Sequence, residues 1–133
     1  MISTPPSKTR SGDRTRLTAH EEAALWVLEE QFWTGGLDGA RTTTAQGAVM
    51  IFPYPVGILQ GDKIWQFLKL GTPWRSVRMS DQSFSRRGDI VVLAYGVSAE
   101  KPDTVIYEAF CASAYLLDHG KWIRLSHQQT AIS

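Results

Sequence analysis

Val105 to Leu117 reads VIYEAFCASAYLL and Lys121 to Thr130 reads KWIRLSHQQT, with Asp118, His119 and Gly120 between them. The first run is rich in aromatic and β-branched residues, the middle supplies turn chemistry, and the second run resumes an extended pattern, so the pair predicts a β-hairpin. With Leu117 and Trp122 flanking the turn, Ile123 falls opposite Leu116, Leu125 opposite Ala114, His127 opposite Ala112 and Gln129 opposite Phe110. Tyr107, Cys111, Ser113 and Tyr115 then share the other face with Trp122, Arg124, Ser126 and Gln128. Both faces of the feeding strand are largely apolar, so both need cover. Helices can cover one side, and a second subunit is the economical cover for the other.

Upstream, the strand pattern continues. Arg75 to Ser85 is a polar, edge-like strand, residues 86–89 form a turn, and Ile90 to Ala99 is apolar on both faces before a turn at residues 100–103. The front of the chain reads differently. Thr18 with Glu21 is a capping box opening a helix to Trp33, whose apolar stripe is Leu25, Leu28 and Phe32, widened by Ala24. Gly35 and Gly36 end it, Leu37 to Thr44 reads as a short second helix, and Ala48 to Phe52 as a strand that Pro53-Tyr54-Pro55 turns out of the sheet. Gly57 to Leu59 is a short extended piece, and Asp62 to Leu70 is a helix closed by Gly71-Thr72-Pro73. Helices first and a meander of long strands afterwards give an α+β layout with the helices on one side of a curled sheet.

The chain has 133 residues, which fits one domain at 18–133 behind a polar tail at 1–17; the tail is read as flexible, or alternatively as an arm on a partner subunit. A 43% apolar and 20% charged composition is that of an ordinary soluble protein, and a net charge of +1 offers no field for nucleic acid. Arg75 and Arg78 beside Trp74 read as a solvated edge. Cys111 is the only cysteine, which excludes an internal disulfide and cysteine zinc motifs and favours a reduced, cytoplasmic setting. No apolar run is long enough for a membrane span. His20, His119 and His127 are scattered, so no metal site and no cofactor is expected.

TGGLDG (Thr34 to Gly39), AVMIFP (Ala48 to Pro53), Gly57-Ile58-Leu59 before Gly61-Asp62-Lys63-Ile64, and the terminal KWIRLSHQQT occur in an order and spacing that resembles the nuclear transport factor two-like superfamily, in its SnoaL-like and ketosteroid-isomerase-like branch. The resemblance spans residues 18–131. It implies a strongly bent antiparallel sheet wrapped around the N-terminal helices as a cone, a pocket at the open end, and a homodimer through the outer sheet face. The steroid isomerases of that branch place a carboxylate base, a helix tyrosine and a strand acid at positions that match Phe52, Leu28 and Ala112. All three are apolar here, so that specific mechanism lacks its groups.

Continuing the register through a turn at 100–103 puts Tyr95 opposite Glu108, Leu93 opposite Phe110 and Val91 opposite Ala112. Tyr95, Glu108, His127 and Gln129 would then point to the concave side. A buried Glu108 would be an acid or base with Tyr95 as donor and His127 deeper, and the preferred plainer reading is a satisfied polar group near the mouth. His127 is read first as part of a structural network with Gln129 and second as a ligand contact. Trp33, Phe52, Tyr54, Trp65, Trp74, Tyr95, Ala112 and Gln129 are the expected pocket residues, while Trp26 and Trp122 are packing anchors. These residues point to a domain that binds a small organic molecule; the alternatives are a proton-transfer enzyme on a small carbonyl compound, using Glu108 or His127, and a protein-interaction module.

Overall fold

The computed structural model describes residues 13–132. Along them run α1 (Ala19–Thr34), α2 (Gly36–Thr42), β1 (Thr44–Phe52), β2 (Gly57–Gln60), α3 (Asp62–Leu70), β3 (Ser76–Arg87), β4 (Ile90–Glu100), β5 (Tyr107–Asp118) and β6 (Lys121–Ala131). The start of α1 is fixed by the capping box read from sequence. Thr18 Oγ1 accepts the Glu21 amide at 3.0 Å, and Glu21 Oε1 accepts the Thr18 amide at 2.9 Å. Two donors that the helix cannot satisfy internally are thereby paired.

The strands form one six-stranded sheet in the order β2-β1-β6-β5-β4-β3. The polar strand β3 lies at an edge, as its composition predicts. All neighbours are antiparallel except β1 and β6, which run parallel. Register shifts between Thr44 and Val49, between Ser80 and Ser83, and between Ala114 and Tyr115 interrupt the ladders. Each bends and twists its strand, which curls the sheet around the helices. This is the expected α+β curved sheet. The core lies on the concave side. Leu25 packs with Val91, Leu93 and Tyr115; Trp33 packs with Tyr95, Val97 and Cys111; Ile64 of α3 packs with Ala48, Met50 and Phe52.

Two register expectations are corrected. The β4–β5 connection occupies residues 101–106 rather than 100–103, because Val105 and Ile106, β-branched and strand-like in sequence, lie exposed in the loop. Asp103 turns the chain there with a φ of 60°. Tyr95 consequently faces Cys111, and Glu108 pairs with Ser98. The displacement is an odd number of residues, so every β5 side chain changes face. At β5–β6 the pairs nearest the turn are as expected, with Leu116 opposite Ile123, but a bulge at Leu125 then sets His127 opposite Ser113 and Gln129 opposite Cys111.

Of the tail expected at 1–17, residues 13–17 are described. The Arg14 carbonyl accepts from the Gly88 amide at 2.9 Å, the Arg14 side chain pairs with Asp89, and the Arg16 carbonyl accepts from Arg86 at 2.9 Å. Leu17 packs beside Leu25. The reading of residues 1–12 as flexible tail or partner arm lies outside the described residues.

Candidate functional site

A cavity of about 690 Å³ opens between the helices and one end of the curled sheet. Its walls include Phe32 and Trp33 of α1, Phe52 at the end of β1, Phe67 and Leu68 of α3, and Trp74 before β3. Helix α3 contributes because its apolar residues recur with helical spacing, seating Ile64 in the core and turning Phe67 and Leu68 toward the opening. Two of the polar exceptions meet. Tyr107 and Gln129 lie together on the sheet side, the Tyr107 hydroxyl donating to Gln129 Oε1 at 3.0 Å. Burial, then the nearby Cys111, pushes the Tyr107 phenol up to about 12, so it is a neutral donor at ordinary pH.

Behind this pair a chain of hydrogen bonds leads inward. Gln129 Nε2 lies 3.0 Å from His127 Nε2; with the Gln129 carbonyl taken by Tyr107, the amide donates and the imidazole proton belongs on Nδ1. Nδ1 is 2.7 Å from Ser113 Oγ and 3.3 Å from Glu29 Oε2. Ser113 and Tyr95 each donate to Glu29 Oε2 at 2.5 Å, and Tyr115 donates to Oε1 at 2.6 Å. Trp33 Nε1 donates to the Tyr95 oxygen at 2.9 Å. The donors thus converge on Glu29, a carboxylate with no solvent exposure.

Its countercharge is Arg124, also fully buried, 3.7 Å from Glu29 Oε1. Arg124 donates to the Tyr115 oxygen at 2.6 Å, the Leu28 carbonyl at 3.1 Å and Thr44 Oγ1 at 3.0 Å, tying α1, β1, β5 and β6 together. Burial alone would raise the Glu29 pKa. The hydrogen bond from His127 and its charge when protonated, the Arg124 guanidinium and the Ser113 hydroxyl outweigh burial, lowering it from 4.5 to about 2. The same carboxylate, added to burial, pushes the Tyr95 and Tyr115 phenols well up and the Cys111 thiol up to about 12. Chemically the network is an ionised carboxylate held by the hydroxyls of Ser113, Tyr95 and Tyr115, balanced by the Arg124 guanidinium and connected to the cavity through His127 and Gln129.

The sequence-derived residues are distributed unevenly over this site. Trp33, Phe52, Trp74 and Gln129 line the cavity, and His127 is buried directly behind Gln129. Tyr95 is on the concave side as expected, but deep, bound to Glu29. Glu108 is exposed on the outer face, on the same side of β5 as Phe110 and Ala112, so the expected cluster of Tyr95, Glu108 and His127 is not formed. Ala112 leaves the expected pocket for the same reason. Tyr54 is 95% exposed at the turn after β1. Trp65 borders a smaller neighbouring depression with Arg41, whose guanidinium lies 5.5 Å from the centre of its ring.

Glu29, Arg124, Ser113, Tyr107 and Lys101 were not singled out from the sequence. Glu29 carried a signal. It stands one helical turn from both Leu25 and Trp33, on the stripe that α1 buries, where a carboxylate requires partners. Among the described residues no group of His, Cys, Asp and Glu side chains is arranged to hold a metal ion, and no helix is long and apolar enough to cross a membrane.

No protein-family model and no curated protein sequence matches the chain. Solved structures do match. A ketosteroid isomerase candidate from Parabacteroides distasonis superposes with a TM-score of 0.74 at 12% identity, covering 90% of this chain and 96% of that one. An NTF2-like protein from Cytophaga hutchinsonii gives 0.71 at 14% identity over 87% of this chain and 100% of that one. The CamKII hub homology domain of Chlamydomonas reinhardtii gives 0.68 at 17% identity over 84% and 95%. At such identities the likeness is one of fold.

Proposed function

Taking as premise that the chain has the nuclear transport factor two-like fold, we propose that it binds a small organic molecule in the cavity between α1, α3 and the sheet. The observation that carries this is a largely apolar cavity of about 690 Å³ in which a phenol and an amide, Tyr107 and Gln129, converge. That combination of apolar walls and a few fixed polar groups suits a ligand with a hydrocarbon or aromatic body and a carbonyl or hydroxyl. A thermal-shift panel of aryl and alkyl alcohols, ketones and acids tests it. A true ligand present at 100 times its Kd stabilises the fold by about 2.7 kcal/mol, and the shift shrinks in Gln129→Leu. A panel without any saturable stabilisation refutes the reading.

A second reading, proton-transfer catalysis on a small carbonyl compound, is favoured by the contact of Gln129 with His127 Nε2. Displacement of the amide would present this nitrogen to a ligand, with Ser113 and Glu29 holding the opposite nitrogen. Exchange of the α-protons of 4-phenyl-2-butanone in D2O, abolished in His127→Gln, is the expected result. Exchange no faster than in buffer contradicts it. The acid-base role once open to Glu108 has no support from its exposed position.

The outer sheet face is proposed to pair with a second copy of the chain. Phe110 (59% exposed) and Val92 (40%) stand there around Ala94, Ala112 and Ala114. An apolar face of this kind calls for cover. Sedimentation should give a dimer that Phe110→Glu converts to monomer; a monomeric parent refutes the pairing.

A further inference from the structure

We propose that the ligand of this cavity is an amphipathic anion, an organic acid whose carboxylate is held at the mouth by Lys101 while its apolar body lies against Trp74 and Tyr107. The inference rests on the cavity-binding reading and adds the charge class. Among the described residues the charged side chains lining the cavity are Lys69 and Lys101, with no carboxylate in the lining. Neither lysine has an acidic side chain within ion-pair distance among the described residues. Cations without an acidic partner among the described residues, beside an apolar chamber, select against cationic ligands and for acids.

The two lysines are not equivalent. Lys69 lies in the last turn of α3, whose free carbonyl end carries roughly half a negative charge that the lysine offsets. It also borders the neighbouring depression, which contains Asp62. Lys101 stands at the start of the β4–β5 loop, half-buried, its ammonium 4.3 Å from the centre of the Trp74 ring. Trp74 stacks in turn on Tyr107, with centroids 5.5 Å apart and planes 16° from parallel. The cation sits over the Trp74 ring, and Lys101, Trp74 and Tyr107 all belong to the cavity wall. In the proposed pose the carboxylate meets Lys101 and the hydrocarbon or aryl portion lies along the wall that Trp74 and Tyr107 share with Gln129.

Calorimetric titration of the full chain with 4-phenylbutyrate, 4-phenyl-1-butanol and 4-phenylbutylamine tests the proposal, because the three share a body and differ in charge. The acid is expected to bind up to about fivefold tighter than the alcohol, as a partly exposed ion pair supports, with the preference weakening as salt is raised. Lys101→Met should bring the acid down to the affinity of the alcohol. Equal binding of acid and alcohol, tighter binding of the amine, or an acid preference that survives Lys101→Met overturns the anion inference while leaving the cavity reading standing. Failure of all three ligands overturns both.

Discussion

Replacing Glu29 with glutamine removes one charge from the fully buried network and leaves its shape nearly intact. Arg124, equally buried, then has no countercharge, since its remaining partners are the neutral Tyr115, Thr43, Thr44 and Leu28 groups. Two routes give the size of the loss. Breaking a buried ion pair by removing one partner costs about 3–5 kcal/mol. Independently, the lowering of the Glu29 pKa from 4.5 to about 2 corresponds to about 3 kcal/mol of preferential stabilisation of the ionised form in the folded state. Urea denaturation at neutral pH should therefore show Glu29→Gln less stable by about 3 kcal/mol with an unchanged m value, or a melting point lower by roughly 10 °C. The pH dependence adds a second check. Because the folded pKa lies below the unfolded one, the contribution is complete above about 4.5 and is lost as pH falls toward 2. The gap between parent and variant should close across that window. A loss under about 1 kcal/mol at neutral pH, or a gap that does not narrow on acidification, would refute the assignment of Glu29 as the ionised centre of the network.

Adding Arg124→Met to Glu29→Gln should recover part of the stability lost in Glu29→Gln alone, because no buried charge is left unpaired while the glutamine carbonyl still accepts from the surrounding hydroxyls; denaturation midpoints of the three proteins check this. Cys111, buried and with its thiol pushed up to about 12, should resist Ellman's reagent at pH 8 in the folded protein and react freely once unfolded in urea. Fast labelling of the folded protein would contradict its placement. Thr18→Ala removes one half of the capping box at the start of α1 and should cost about 1 kcal/mol in the same denaturation assay.

Local chemistry made most of the elements readable. Thr18 and Glu21 announce α1, Asp62 and Gly71 bracket α3, and Asp118-His119-Gly120 mark the final turn. What remained hidden depends on counting residues across turns and bulges. Val105 and Ile106 have the side chains of a strand but lie in a loop, and the bulge at Leu125 leaves no mark in residue type. The loop error turned β5 over, which is why Glu108 and Ala112 were expected inside while Tyr107 and Ser113 were not. His127 and Gln129 kept their face because two departures cancel: β5 turned over, and the bulge at Leu125 turned the far half of β6 back relative to it. Glu29 was overlooked for a different reason. A stripe of Leu25, Leu28 and Phe32 already accounts for an amphipathic helix, so a carboxylate between Leu25 and Trp33 passes for the edge of the polar face. Its buried partners come from β4, β5 and β6, which α1 meets only after folding.

Side-chain NMR during titration with 4-phenyl-1-butanol and 4-phenylbutyrate tests ligand binding in the cavity most directly. The Gln129 amide and the Trp74 indole are predicted to shift saturably and together. The Trp65 indole, outside the cavity, should stay in place. Saturable shifts confined to Trp65, or no shift at Gln129 and Trp74 at any concentration of either ligand, would contradict the account.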